Sequence, residues 1–337
     1  MAKTYNNLFD KALTFSSLLE AHKKARRGKR FRDEVIRFEM DLEGNLLALA
    51  RELKTGTYKP SEYNEFYVYE PKKRLIRAAP YRDRVVHQWY VINFIKPIFG
   101  PRFIHDSYAC LDGKGMHRAT QRAQEFLRMA EAHWEAPYIV KADVKKFFFN
   151  VDHDTLYGIV TRKIVDPKVL WLTKVILESV ENPGIPVGSY TSQYFANVYL
   201  NELDMFVKHK LRVKMYVRYM DDFLLILPSK QDAQNTLQVV RDFVSKELKL
   251  ELNGKTQIFP VKNGVNFCGY KIKSTHMKIR TESKRRIKRK LRKFKVKFKE
   301  GEMEASEIRM VLMSWMGYAK KADSHHLIRK ILRQFTF

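Results

Sequence analysis

Four consecutive residues, Tyr219-Met220-Asp221-Asp222, constrain this chain more than any other feature. They join two apolar, β-type runs, 213–219 and 223–227, so two adjacent carboxylates fall at the tip of a buried hairpin. Adjacent like charges on a buried strand pair repel one another unless a cation neutralises them. A turn that uses Asp-Asp for local hydrogen bonding is the alternative. A further acid, Asp143, sits near the end of another apolar run, 138–144. Three carboxylates at the edges of one sheet suit Mg2+, a hard cation that prefers oxygen ligands. Two such ions about 3.5–4 Å apart serve in-line displacement by stabilising the attacking and leaving oxygens.

The surroundings make these acids stand out. The 337 residues include 64 Lys+Arg against 37 Asp+Glu, a formal net charge of +27. Such an excess points to a polyanion, either nucleic acid or an anionic membrane surface. Residues 271–299 hold 15 of the basic side chains and one acid, Glu282; residues 23–32 hold seven and no acid. Within the first block Ile287, Leu291, Phe294 and Phe298 recur at helical spacing, which predicts an apolar stripe on a cationic helix. Its basic face suits phosphates. A helix lying on a membrane is the alternative. The 45% hydrophobic content is enough for an ordinary core, and the length suggests about two domains. Two cysteines, Cys110 and Cys268, exclude a disulfide scaffold and a Cys-rich zinc module and suit a reducing cytoplasm. The start, Met1-Ala2-Lys3-Thr4-Tyr5, lacks the apolar core of a signal peptide, and no run approaches the roughly 18 residues of a membrane span.

Periodicity predicts the order of elements. Residues 1–60 are mainly helical, with Leu42, Leu46, Leu49 and Leu53 on one face and Gly56 and Pro60 at the end. Residues 65–79 form a basic hairpin around Glu70-Pro71-Lys72-Lys73. Helices follow over 83–99 and from Gly115 to Trp134, then the strand 138–144 and a helical stretch over 152–181. The loop 183–188 leads into a helix from about Ser192 to Lys210. After the acidic hairpin come a helix over 230–248, short strands at 255–259 and 265–272, and a helical, basic remainder.

Taken together, these residues resemble a reverse transcriptase over nearly the whole chain. Asp143, in Ala142-Asp143-Val144-Lys145-Lys146-Phe147-Phe148, matches the first catalytic motif, and Tyr219–Asp222 the second. The resemblance implies that Asp143 and Asp221 ligate two Mg2+ ions, with Mn2+ able to substitute. It places Asp222 more peripherally and has the Val144 carbonyl complete the shell. It makes Phe148 the steric gate against a ribose 2′-hydroxyl, with core packing the alternative, and the neighbouring Phe147 and Phe149 are expected to pack in the core. Lys72 and Arg74 fall where the family grips the incoming triphosphate, with Arg77 a weaker third; ordinary surface charge on a hairpin is the alternative. Lys255 resembles the lysine proposed to protonate pyrophosphate. Phe267, Gly269 and Tyr270 lie in a segment resembling the primer grip. Lys284, Arg285, Arg286, Lys288, Arg289 and Arg292 would hold nucleic acid. His87 and His117 receive no chemistry, and Cys110 is expected to pack as a small apolar residue.

The loop Gly184-Ile185-Pro186-Val187-Gly188-Ser189-Tyr190-Thr191-Ser192-Gln193 narrows the resemblance. Val187 stands where retroviral and group II intron enzymes carry Gln. With Gly188 and Gln193 it looks like the reverse transcriptase of diversity-generating retroelements, as do Ala196–Leu200 and Ser314–Ala319. That likeness implies cDNA synthesis from a template-repeat RNA, error-prone at template adenines, for mutagenic retrohoming. It implies dNTPs, template RNA and a cDNA/RNA duplex as partners, together with an accessory variability protein, a small basic helical bundle. The alternatives are a phage-defence or CRISPR-associated reverse transcriptase, and a non-catalytic RNA-binding protein on the same fold. The expected fold is α+β, a right-hand polymerase with fingers, an antiparallel palm sheet and a helical thumb. The expected divisions are a helical extension over 1–60, fingers with part of the palm over 61–137, palm over 138–272 and basic thumb over 273–337. That leaves no room for an RNase H or endonuclease domain. The expected setting is the cytoplasm of a bacterium or archaeon, or a phage-infected cell.

Overall fold

The computed structural model describes residues 3–69 and 73–335. The class is α+β, and all three of its sheets among the described residues are antiparallel. The chain divides into two compact units that interleave along the sequence. The first comprises Met1–His105, Val144–Lys210 and Val240–Gly254, and the second Asp106–Asp143, Leu211–Val239 and Lys255–Phe337. Among the described residues no helix is long and apolar enough to cross a membrane.

In the first unit, helices Phe15–Ala25, Asp33–Met40 and Leu42–Thr55 bury Leu18, Val35, Phe38, Leu46, Leu49 and Leu53. Gly56 closes the last of these in the left-handed conformation, φ 72°, as its position predicts. Strands β1 (Asn64–Val68) and β2 (Arg74–Ala78) form the expected hairpin. The helical stretch expected over 152–181 consists of two helices, His153–Thr161 and Pro167–Leu177. Pro167 lacks the amide a continuing helix requires but suits a first turn. Asp166 supplies the second reason. Its buried carboxylate accepts the backbone N–H groups of Lys168 and Val169 at 3.0 and 3.1 Å, and those of distant Leu8 and Phe9 at 2.6 and 3.0 Å. Burial pushes the carboxyl pKa up, but these four donors outweigh it and hold it below the usual range. Asp166→Ala leaves the starts of two helices without a cap. It is expected to lower the unfolding free energy by about 3 kcal/mol, measured by urea denaturation.

In the second unit the main sheet runs in the order β4 (Tyr216–Tyr219), β5 (Asp222–Leu227), β3 (Tyr138–Asp143), β6 (Gln257–Pro260). Strand β5 is buried at every position after Asp222. Ile139, Val217, Leu224 and Ile226 share one core with Ala119, Ala123, Phe126, Leu127 and Ala130 of the helix Met116–His133. The alanines let the helix lie close to the sheet, and each large apolar side chain so buried contributes about 1.5–3 kcal/mol.

The segment 265–272 is a hairpin rather than one strand: β7 (Val265–Phe267) pairs with β8 (Tyr270–Ile272). Cys268 and Gly269 turn it with φ of 45° and 86°, the left-handed pair of a two-residue turn. A third strand, β9 (Met277–Ile279), extends this sheet inside the tail expected to be all helical. Three helices then follow, Thr281–Lys299, Ala305–Ala319 and His325–Gln334. The predicted stripe is real: Ile287, Leu291 and Phe294 enter a separate small core with Ile308, Ile331 and Phe335, and Phe298 packs against it.

Candidate active site

Strands β3 and β5 pair so that Asp143 lies directly opposite Asp222, and β4 and β5 pair so that Tyr219 lies opposite Asp222. Met220 and Asp221 are thus the two loop residues of the hairpin. Met220 takes φ 56°, a conformation that costs a side chain with a Cβ about 1 kcal/mol or more. Arg218 holds it there. This side chain is 0% exposed, and its Nη1 donates to the Met220 carbonyl at 3.0 Å. The backbone of Arg218 is itself fixed, donating to Asp106 O at 2.9 Å and accepting from Tyr108 N at 3.0 Å. Arg122 Nε binds the Asp106 carboxylate at 2.9 Å.

Asp222 is not left to repulsion alone. Lys141 Nζ lies 3.1 and 3.3 Å from its two carboxylate oxygens. The Asp222 pKa is nevertheless pushed up to about 6, chiefly by burial. The Lys141 ammonium pulls it down, while the charges of Asp143 and Asp221 push it further up. Burial and the two neighbouring acids thus outweigh the one ammonium at Asp222. Among the described residues no three His, Cys, Asp or Glu side chains converge as a metal cage. Mg2+ does not ask for one: it keeps several waters and uses one or two carboxylates together with substrate phosphates. Asp143 and Asp221, hard oxygen donors at the strand end and in the adjoining turn, fit that demand. Val144 is buried and bridges to Leu252. Burial raises the Cys110 thiol pKa, and burial together with the Asp222 charge raises that of Cys268, so neither is a ready nucleophile.

Within the second unit, Phe267 and Tyr270 are buried in the core. Tyr318 Oη donates to Gly269 O at 2.6 Å, and Tyr270 Oη donates to Tyr318 O at 2.8 Å. Lys255 is exposed in the turn before β6. On the Thr281–Lys299 helix Arg285, Arg286, Arg289 and Arg292 are exposed, and Lys284 and Lys288 half-buried.

Within the first unit, Arg74 is exposed on β2, and Lys72 lies outside the described residues. Arg77 is engaged by Glu65, Nε to Oε1 2.7 Å. The loop 183–188 presses on β2: Val187 O accepts from Arg77 N at 3.1 Å, and a Cβ on Gly188 would stand 3.1 Å from Ile76 Cγ2. Gln193 is half-buried in the first turn of the helix Tyr190–Met205. Phe148 is half-buried, and its carbonyl accepts from Ile185 N at 2.7 Å. Phe147 packs edge-on to Tyr199 as expected of a core ring. Phe149 does not: it is 47% exposed, because the short helix Phe147–Asn150 turns successive residues to different faces.

The same loop is tied to His87, whose Nδ1 lies 3.1 Å from Ser189 Oγ. Burial lowers the His87 pKa to about 4. The unfolded chain then binds the proton near pH 6.5 and the folded chain does not, so stability falls as pH drops through that window. We expect this one side chain to account for roughly 2 kcal/mol of lost stability between pH 7.5 and pH 5. Urea denaturation at both pH values should show a smaller loss in His87→Gln.

Two residues of the site escaped sequence reasoning. Lys141 is two positions before Asp143 and so on the same strand face, a signal the alternation of a strand carries. Arg218 is a charge inside an apolar strand, which marks a buried partner.

Comparison with known proteins matches residues 60–272 to the family described as reverse transcriptase (RNA-dependent DNA polymerase). The group II intron-encoded protein LtrA of Lactococcus lactis subsp. cremoris is 25% identical, over 68% of this chain and 50% of that protein. The chain thus spans about half the length of that relative. Protein YkfC of Escherichia coli (strain K12) is 25% identical over 67% of this chain and 71% of its own. A solved apo telomerase of Candida tropicalis aligns over 70% of this chain and 60% of its own with TM-score 0.49 and 11% identity, too loosely to carry an argument. The family match spans well over half of the chain and contains β3 and the β4–β5 hairpin, and on that ground the chain belongs to the reverse transcriptase family.

Proposed function

We propose that this chain is an RNA-templated DNA polymerase that extends a primer with dNTPs. The observation that carries the reading is the carboxylate cluster, with Asp143 opposite Asp222 across β3–β5 and Asp221 in the adjoining turn. Asp143 and Asp221, with the Val144 carbonyl, are the residues that would hold Mg2+. Such ions would supply Lewis-acid chemistry there, activating the primer 3′-hydroxyl and stabilising the departing pyrophosphate. Arg74 and Lys72 neutralise the triphosphate, Arg through a planar fork and Lys as a point charge. Lys255 supplies a proton donor for the leaving pyrophosphate. Phe148 excludes a 2′-hydroxyl by bulk. The exposed arginines of Thr281–Lys299 grip the template–primer backbone without reading sequence, so binding weakens steeply with salt.

Within this family the finer reading is a diversity-generating retroelement enzyme that copies a template-repeat RNA with errors at template adenines, working with an accessory variability protein. Val187 supports it. Polar contacts discriminate sharply between substrates, whereas apolar ones discriminate weakly, and the Val187–Gly188 loop offers an apolar side chain and a glycine. Sequencing cDNA made on one RNA template tests this. Val187→Gln is expected to lower errors at template adenines several-fold while other errors stay level. An unchanged spectrum would count against the retroelement reading and leave the polymerase reading intact.

A further inference from the structure

We infer that Lys141 is a positioning residue that holds Asp222 off the metal, so that in the nucleotide-free chain Asp143 and Asp221 bind the divalent cation without it. The inference rests on the metal site proposed above. Lys141 and Asp143 are two apart on β3 and share one face of the sheet, and Asp222 stands opposite Asp143 on that face. The Lys141 ammonium reaches both oxygens of Asp222, at 3.1 and 3.3 Å. A carboxylate held by both oxygens has turned its lone pairs toward the ammonium, which reduces what it can offer a cation. Both side chains are mostly buried, at 23% and 29% exposure, so water screens the pair poorly. On the other side β3 meets β6, where Lys141 faces the neutral Gln257, so no acid there competes for the ammonium.

Three ionised acids at one strand end would bind a divalent ion tightly, because affinity rises with the charge count of the ligands. A polymerase must also release its ions along with pyrophosphate. Lys141 keeps the third acid in reserve.

The test is Mn2+ binding by the intact chain without nucleic acid or nucleotide, followed by electron paramagnetic resonance. Lys141→Met is expected to tighten Mn2+ binding about tenfold, and Lys141→Arg to leave it within twofold of wild type. Asp222→Asn is expected to change little in the wild-type background but to abolish the gain in Lys141→Met. This non-additivity separates a freed ligand from the mere loss of a positive charge, which would act equally in both backgrounds. Should Lys141→Met fail to fold, Asp222→Asn alone still decides: a loss of Mn2+ affinity as large as that of Asp221→Asn overturns the inference. Unchanged affinity in a folded Lys141→Met also overturns it. If wild-type Mn2+ binding is insensitive to both Asp143→Asn and Asp221→Asn, the metal site itself is wrong, a different failure.

Discussion

Asp221→Asn is expected to reduce primer extension about a thousandfold, equivalent to about 4 kcal/mol of lost transition-state stabilisation. The substitution keeps the shape of the side chain and removes one hard anionic donor from the β4–β5 turn. It should not unfold the protein. Asp221 is one of the charges that push the Asp222 pKa upward, so neutralising it relieves repulsion in the turn. The unfolding midpoint in urea should therefore hold level or rise while incorporation collapses. Asp143→Asn should behave alike. A parallel fall in stability and activity would mean that the turn acids hold the fold rather than the chemistry.

Arg218→Met is the second large effect, and its signature is the reverse, because stability falls with activity. Met matches the length of the aliphatic stem but supplies no donor to the Met220 carbonyl, and the site that held the guanidinium is itself fully buried. Breaking a part-buried, charge-assisted contact of this kind costs about 2 kcal/mol. Met220 also loses the contact that keeps it at φ 56°, so the turn carrying Asp221 relaxes. Extension measured below the unfolding transition should fall at least tenfold, beyond what the unfolded fraction explains. Arg218→Lys should not rescue it, since an ammonium cannot reproduce the guanidinium's fork.

Local pattern made much of the fold legible. The apolar runs of β3 and β5, the acids at their ends, the stripe of Ile287, Leu291 and Phe294 and the Gly56 stop are all written within a few residues of where they act. What escaped depends on partners far along the chain. The break at Asp166 is completed by the amides of Leu8 and Phe9, some 157 residues away. The β7–β8 turn uses a cysteine at positive φ, which the usual Asn-Gly signal does not flag. Strand β9 has three residues inside a strongly basic stretch, too short for alternation to register. Three consecutive phenylalanines gave no means of separating the exposed Phe149 from the buried Phe147. At the site itself the acids were legible, because carboxylates are rare in apolar strands of a +27 chain. The pairing of Lys141 with Asp222 was not, because it needs the register of β3 against β5.

The most direct test is incorporation of dNTPs by the purified chain on a DNA primer annealed to an RNA template. With Mg2+ present, template-directed extension should occur and should vanish in Asp143→Asn and Asp221→Asn. Extension that persists in both variants, or a folded chain that binds the primed RNA yet never extends it in Mg2+ or Mn2+, would contradict the assignment of these carboxylates to polymerase chemistry.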